Sequence, residues 1–144
     1  MRDSLKGSDI LEGTFDIAQF TAAASTPFDP AGPIRCDPEF GSGPSFVPCG
    51  EVSLTTPVAG RILVIASGEL IAEGGLASGD CQLYFDSTGI GALGDRPRNS
   101  QGFAISAVSA PVPAGSHLAE LRCLEGSGEL RVNVNSVTAA LVGG

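Results

Sequence analysis

The sequence predicts an all-β domain, a jelly-roll β-sandwich of about eight to ten strands. Three observations carry that expectation. Apolar and polar residues alternate over short runs, so that Ala119, Leu121 and Cys123 share one face while Glu120 and Arg122 share the other. Twenty glycines and ten prolines punctuate the 144 residues, and β-branched residues recur between them. Together these leave no stretch suited to a helix.

The elements follow in order. Residues 1–14 read as two short turns of a repeat, Asp3-Ser4-Leu5-x-Gly7 and Asp9-Ile10-Leu11-x-Gly13. This is either the end of a repetitive stalk or a disordered tail, because it cannot bury a core alone. The head domain spans 15–144. Phe15 to Ser25 is a candidate first strand. Thr26 to Pro48 is rich in Pro, Gly and Asp and is too long for a plain connection, which predicts a disulfide-held or functional excursion. Gly50 to Pro57 alternates, with Val52 and Leu54 on one face. Pro57 to Gly60 makes a turn into the most apolar strand, in which Ile62 and Val64 point one way, Leu63 and Ile65 the other. A strand apolar on both faces is covered on both, which makes Ile62, Leu63, Val64 and Ile65 core or subunit-interface candidates. Gly79 to Ile90 reads as a strand and Gly89 to Ser100 as a loop bearing Arg96 and Arg98. Gly102 to Ser116 is a strand running into a turn. The remainder closes the domain as two strands joined by a hairpin turn at Glu125-Gly126-Ser127-Gly128, with Leu121, Cys123, Leu130, Val132 and Val134 inside and Arg131, Asn133 and Asn135 outside.

Four cysteines allow three connectivities. Cys36 and Cys49 bracket a Pro/Gly loop and would close it. Cys81 and Cys123 both point inward from strands, as a disulfide or as two buried thiols. Two disulfides would place the protein in an oxidising compartment. No Cys-x-x-Cys pair occurs and there is one histidine, so zinc is not expected.

Eight basic against sixteen acidic residues give a net charge of −8. This argues against nucleic acid and anionic membrane surfaces as partners. Only 17% of the residues are charged and 42% are hydrophobic, which suggests that some surface is buried in an oligomer. No apolar stretch approaches the ~18 residues of a membrane span. The first fourteen residues lack the apolar core of a signal peptide, so export information lies upstream or the protein is not exported by that route.

The succession from Val52 through Leu70, then Cys81 to Asp86, then Val108 to Cys123, then the closing Val137 to Val142, resembles the globular head of complement component one q and its tumour-necrosis-factor-like relatives. The matching features are a Thr55-x-Pro57-x-x-Gly60 turn entering a long apolar strand, a Gln82-Leu83-Tyr84-Phe85 strand, a Pro113-x-Gly115 turn entering a strand of alternating polarity, and a strand at the C-terminus. The sequence lacks Trp and has one Tyr, Tyr84, and the Cys36–Cys49 loop departs from the usual head. The resemblance implies a homotrimer, and three copies would carry 3 × (−8) = −24, with those charges outside the interface. The stalk followed by such a head also looks like bacterial surface and phage-fibre proteins.

Chemistry is sparse. His117 has Ser116 beside it, but strand neighbours point to opposite faces, so a non-catalytic histidine at a subunit contact is expected. Gly41 to Ser45 lacks the strand–turn–helix context of a nucleophile elbow. Asp29, Asp37, Glu39, Asp80, Asp86 and Asp95 lie in or beside loops and offer oxygen ligands of the kind calcium takes, without a fixed spacing. No cofactor is expected. Arg96 and Arg98 could grip a carboxylate or sulfate, or be solvated. The function read from the sequence is a non-enzymatic trimeric head of a secreted or surface fibre. It would bind itself and an extracellular protein or glycan through loops 26–48 and 86–101. The alternative is a phage or viral structural domain on the same fold, which free thiols would favour.

Overall fold

The computed structural model describes residues 23–25, 34–37, 45–92, 96–97 and 101–142. Among them all regular structure is β: β1 (Ala23–Ser25), β2 (Ile34–Cys36), β3 (Val47–Thr56), β4 (Ile62–Phe85), β5 (Thr88–Ala92), β6 (Arg96–Pro97), β7 (Gln101–Val108) and β8 (Gly115–Leu141). They form one eight-stranded sheet, nearly closed into a barrel. The stalk-like repeat at 1–14 and most of the expected first strand lie outside the described residues.

The spine is a long antiparallel ribbon. β4, 24 residues, runs against β8, 27 residues, from Ile62↔Leu141 to Phe85↔Ala119. Around it, β1, β2 and β3 pair along the free edge of β8, and β5, β6 and β7 along the free edge of β4. The ribbon has a corner. Between Glu73↔Glu129 and Ser78↔Ser127, β4 spends residues 74–77 while β8 spends only Gly128. Gly128 has φ 75°, and a Cβ there would come within 2.3 Å of the Leu76 carbonyl oxygen. Only glycine fits such a position. The corner divides the ribbon into a lower arm (78–85 with 119–127, flanked by β3 and β5) and an upper arm (62–73 with 129–141, flanked by β1, β2 and β7).

This corrects two expectations. The Glu125–Gly128 segment is not a hairpin turn, and 62–73 and 79–85 are not separate strands. Each arm of β8 pairs with β4 rather than with the other arm. Alternation places Leu121, Cys123, Leu130, Val132 and Val134 inside in either arrangement, and all are buried, so the pattern alone could not tell a bent ribbon from a hairpin. A third correction concerns Gly89–Ser100, which contains β5 and β6 instead of being a loop. Asp86 and Ser87 make the tight turn between β4 and β5, with φ 47° and 67°. Two residues in the left-handed region mark the hairpin turn whose twist suits the flanking strands.

The core lies between the arms. Ile62, Val64, Ala66, Cys81, Leu83, Ala119, Leu121, Cys123, Val132, Val137 and Ala139 have no exposed surface. Asn135 has no partner in register between Ser67↔Ser136 and Gly68↔Val134. This one-residue bulge lets Val134 and Val137, an odd number of positions apart, both face inward. Contact across the core is close: a Cβ at Gly50 on β3 would lie 3.0 Å from Val137 and 3.2 Å from Val134.

Both inferred disulfides are present. Cys81 and Cys123 are directly opposite each other in the lower arm, with Cα atoms 4.1 Å apart. Cys36 on β2 joins Cys49, Cα atoms 5.2 Å apart. β2 pairs with the upper arm and β3 with the lower, so this bond staples the two arms together. Cys49 reaches inward because it is the extra residue between Pro48↔Arg122 and Gly50↔Leu121.

Candidate functional site

The outer face of the upper arm carries an uncharged patch that the lower arm lacks. On the upper arm, register sets Ala23, Ala140, Leu63 and Val108 in one row, Thr138, Ile65 and Ser106 in the next, and Ser136, Ser67 and Ala104 in a third. None of these side chains is charged. Ile65 is 40% exposed, Val108 49%, and Val142 at the end of the adjoining strand 45%. Ser67 and Ser136 satisfy each other through a 2.9 Å hydroxyl hydrogen bond. Charge bounds these rows at both ends. At one end is Arg61, exposed two residues before Leu63, whose carbonyl accepts the Val142 amide. At the other is Glu69, beside Gly102 and Asn133, followed toward the corner by the Glu73–Arg131 ion pair.

This splits the four candidates Ile62, Leu63, Val64 and Ile65. Ile62 and Val64 are core, at 0% exposure. Leu63 is half-buried and Ile65 exposed on the outer face. Among the described residues the strand is thus covered on one side, and its other side shows half-buried Leu63 and exposed Ile65.

On the lower arm, the outer face carries charge and aromatic surface. Glu51, Glu120 and Tyr84 form one row, and Arg122 and Gln82 the next. Arg122 donates to both carboxylate oxygens of Glu120, Nε to Oε1 at 3.2 Å and Nη2 to Oε2 at 2.7 Å. Its guanidinium lies 4.4 Å above the Tyr84 ring centroid, and Phe46 is tilted against that ring at 6.3 Å. The fork-like pairing and the stack on Tyr84 are what a planar guanidinium does well. Glu120 is consequently buried although it lies on the outer side of its strand. Sequence alternation puts Glu120 and Arg122 on one face; only strand register brings Tyr84 and Phe46 to them.

His117 is not at an exposed contact. It is 8% exposed, stacked on Phe85 with ring centroids 5.3 Å apart, while Ser116 points outward. Nδ1 lies 2.7 Å from Asp86 Oδ2 and Nε2 2.9 Å from the Pro113 carbonyl oxygen. Asp86 Oδ1 accepts the Leu118 amide at 2.9 Å. Burial pushes the imidazole pKa down. The Asp86 hydrogen bond, the Pro113 carbonyl and the Asp86 charge outweigh it, leaving the pKa above its ordinary value.

Of the calcium candidates, Asp86 is engaged with His117 and the Leu118 amide, and Asp80 lies on the lower arm opposite Leu124. Asp37 is exposed. Asp29, Glu39 and Asp95 lie outside the described residues. Among the described residues no three His, Cys, Asp or Glu side chains converge as a metal site. Arg96 is paired through its backbone with Gly79 in the β6–β4 ladder, and Arg98 lies outside the described residues. The strand ends that bound segments 38–44 and 98–100 lie toward the ribbon corner, whereas the Asp86–Ser87 turn lies at the opposite end. The supposed ligand loop 86–101 is therefore divided between the two ends. No helix of the described residues is long and apolar enough to cross a membrane. No protein-family model matches the chain, and no curated protein matches it.

Proposed function

We propose that the chain is a non-enzymatic head domain that assembles with copies of itself, as a jelly-roll homotrimer, and presents loops for recognition of an extracellular protein or glycan. The observation that carries the reading is the uncharged patch on the outer face of the upper arm around Leu63, Ile65 and Val108, between Arg61 and Glu69. Chains of net charge −8 repel one another, so association is least opposed where a broad face carries no charge, and burying its apolar side chains supplies the drive. Two disulfides are compatible with an extracellular setting and favour a secreted or surface head over a capsid or fibre protein assembled in a reducing cytoplasm. In this reading Leu63, Ile65, Val108 and Val142 contact neighbouring copies, and the segments at the ribbon corner, with Arg96 and Arg98, remain outside the assembly and select the ligand.

The test is the solution mass by light scattering on a sizing column. A mass three times the 14.5 kDa of the chain is the expected result. A clean monomer across the accessible concentration range overturns the trimer and leaves a solitary β domain with an open apolar face.

A further inference from the structure

The histidine site carries an inference independent of assembly. Both ring nitrogens of His117 face oxygens that can only accept: the Asp86 carboxylate at 2.7 Å and the Pro113 carbonyl at 2.9 Å. A neutral imidazole has one N–H and one lone pair. In that form one contact would set a nitrogen lone pair against an oxygen lone pair at hydrogen-bond distance. Only the imidazolium satisfies both. We infer that His117 is held as the imidazolium in the folded protein and acts as a proton-operated latch, tying the β4–β5 turn to the start of β8.

What the latch holds is a turn that needs holding. Asp86 and Ser87 both sit at positive φ, which costs non-glycine residues free energy. Asp86 is held to β8 by three hydrogen bonds: the His117 imidazolium to Oδ2, the Leu118 amide to Oδ1, and its own amide to the Leu118 carbonyl at 2.9 Å. The Pro113 carbonyl, which receives the other ring N–H, is also within 3.4 Å of the Thr56 hydroxyl at the end of β3. The ring thus joins the β4–β5 turn to the segment before β8, which Thr56 of β3 also contacts, at the end of the barrel away from the ribbon corner. The groups around the ring are Phe85 from β4, Asp86 from the turn, the backbone of Pro113 before β8, and Leu54, its register partner on β3. Asp86 is the charged one among them.

Losing the proton leaves one of the two contacts repulsive and loosens either the turn or the Pro113 segment, while the two Asp86–Leu118 hydrogen bonds through the backbone amides remain. The folded pKa is raised, so the contribution of the latch to stability is complete below the unfolded histidine pKa of about 6.5 and is lost as pH rises through the folded pKa. The fold is held more firmly in mild acid.

The protein has a single histidine, so nitrogen-15 NMR of the imidazole reads this site alone, in any state of association. The expected result is two protonated ring nitrogens at pH 6 and a titration midpoint above about 6.5, the ordinary histidine value. In Asp86→Asn, which keeps an acceptor for the Leu118 amide and a residue tolerant of positive φ, the midpoint falls. The urea midpoint of wild type, measured with disulfides intact, drops from pH 6 to pH 8 by more than that of Asp86→Asn. A singly protonated ring at pH 6, a midpoint at or below the ordinary value, or a midpoint indifferent to Asp86→Asn overturns the latch. None of these readings depends on whether the chain forms trimers.

Discussion

The outer faces of the two arms are built on the same two strands, and each carries a Glu–Arg pair, Glu73–Arg131 on the upper and Glu120–Arg122 on the lower, but they differ toward the ends of the ribbon. Toward one end of the ribbon, β4 and β8 show Leu63, Ile65, Thr138 and Ala140 outward; toward the other they show Gln82, Tyr84, Glu120 and Arg122. Both faces lie over a core row with no exposed surface, so burial on the inner side cannot account for the contrast. A sheet face meant for water carries polar and charged groups, as the lower arm does. The lesson of the comparison is that the uncharged patch of the upper face is the anomaly, and that the proposed self-association should be tested there.

The comparison can be broken most decisively by charge. Ile65→Asp combined with Val108→Asp places two carboxylates on exposed positions of the upper face, and light scattering should then report one chain mass in place of the three proposed for wild type. Ser53→Asp, on an exposed position of the lower arm's outer face, should leave the wild-type mass unchanged. Loss of assembly in both variants would sink the assignment of the interface to one face.

The disulfides sharpen the contrast next. Cys81–Cys123 closes 42 residues within the lower arm, Cys36–Cys49 only 13 between the arms. Chain-entropy scaling gives about 4 kcal/mol for the first and about 3 kcal/mol for the second. Urea unfolding of the paired Cys→Ala variants should rank them in that order. The reverse order would mean that stapling the arms matters more than constraining the unfolded chain.

A smaller effect separates the faces themselves. Arg122→Ala leaves the buried Glu120 carboxylate without its two donors and should cost about 2 kcal/mol in urea unfolding. Arg122→Lys should recover only part of that, because a point charge reproduces neither the fork nor the stack on Tyr84. The smallest change is expected from Glu51→Gln on the same face. Glu51 is exposed, and its removal should alter stability by no more than about 0.5 kcal/mol. A larger loss would reveal a network extending beyond Arg122 and Glu120.

By itself the sequence determined the β class and the inward positions, and it favoured a loop disulfide between Cys36 and Cys49 while leaving Cys81 and Cys123 open as a disulfide or two buried thiols. Those follow from alternation along single strands and from loop spacing, which are local: Ile62 and Val64 face the core, and Cys36 and Cys49 lie close in the chain. The bend of the ribbon was decided only by tertiary structure. Glu125 to Gly128 reads equally well as a hairpin turn or as the short side of a corner, because alternation on either side is the same and pairing depends on a strand far away in the chain. The polar cluster was half legible: Glu120 and Arg122 share a face in the sequence, but Tyr84 and Phe46 reach them through register alone. The setting of His117 was not legible for the same reason. Its neighbours along the chain are Ser116 and Leu118, whereas its chemistry comes from Asp86, brought alongside by the pairing of Phe85 with Ala119. Periodicity gives each side chain its side of the sheet; which side chains then meet, and hence where charge is neutralised and a proton held, is set by cross-strand register, a property of the folded sheet.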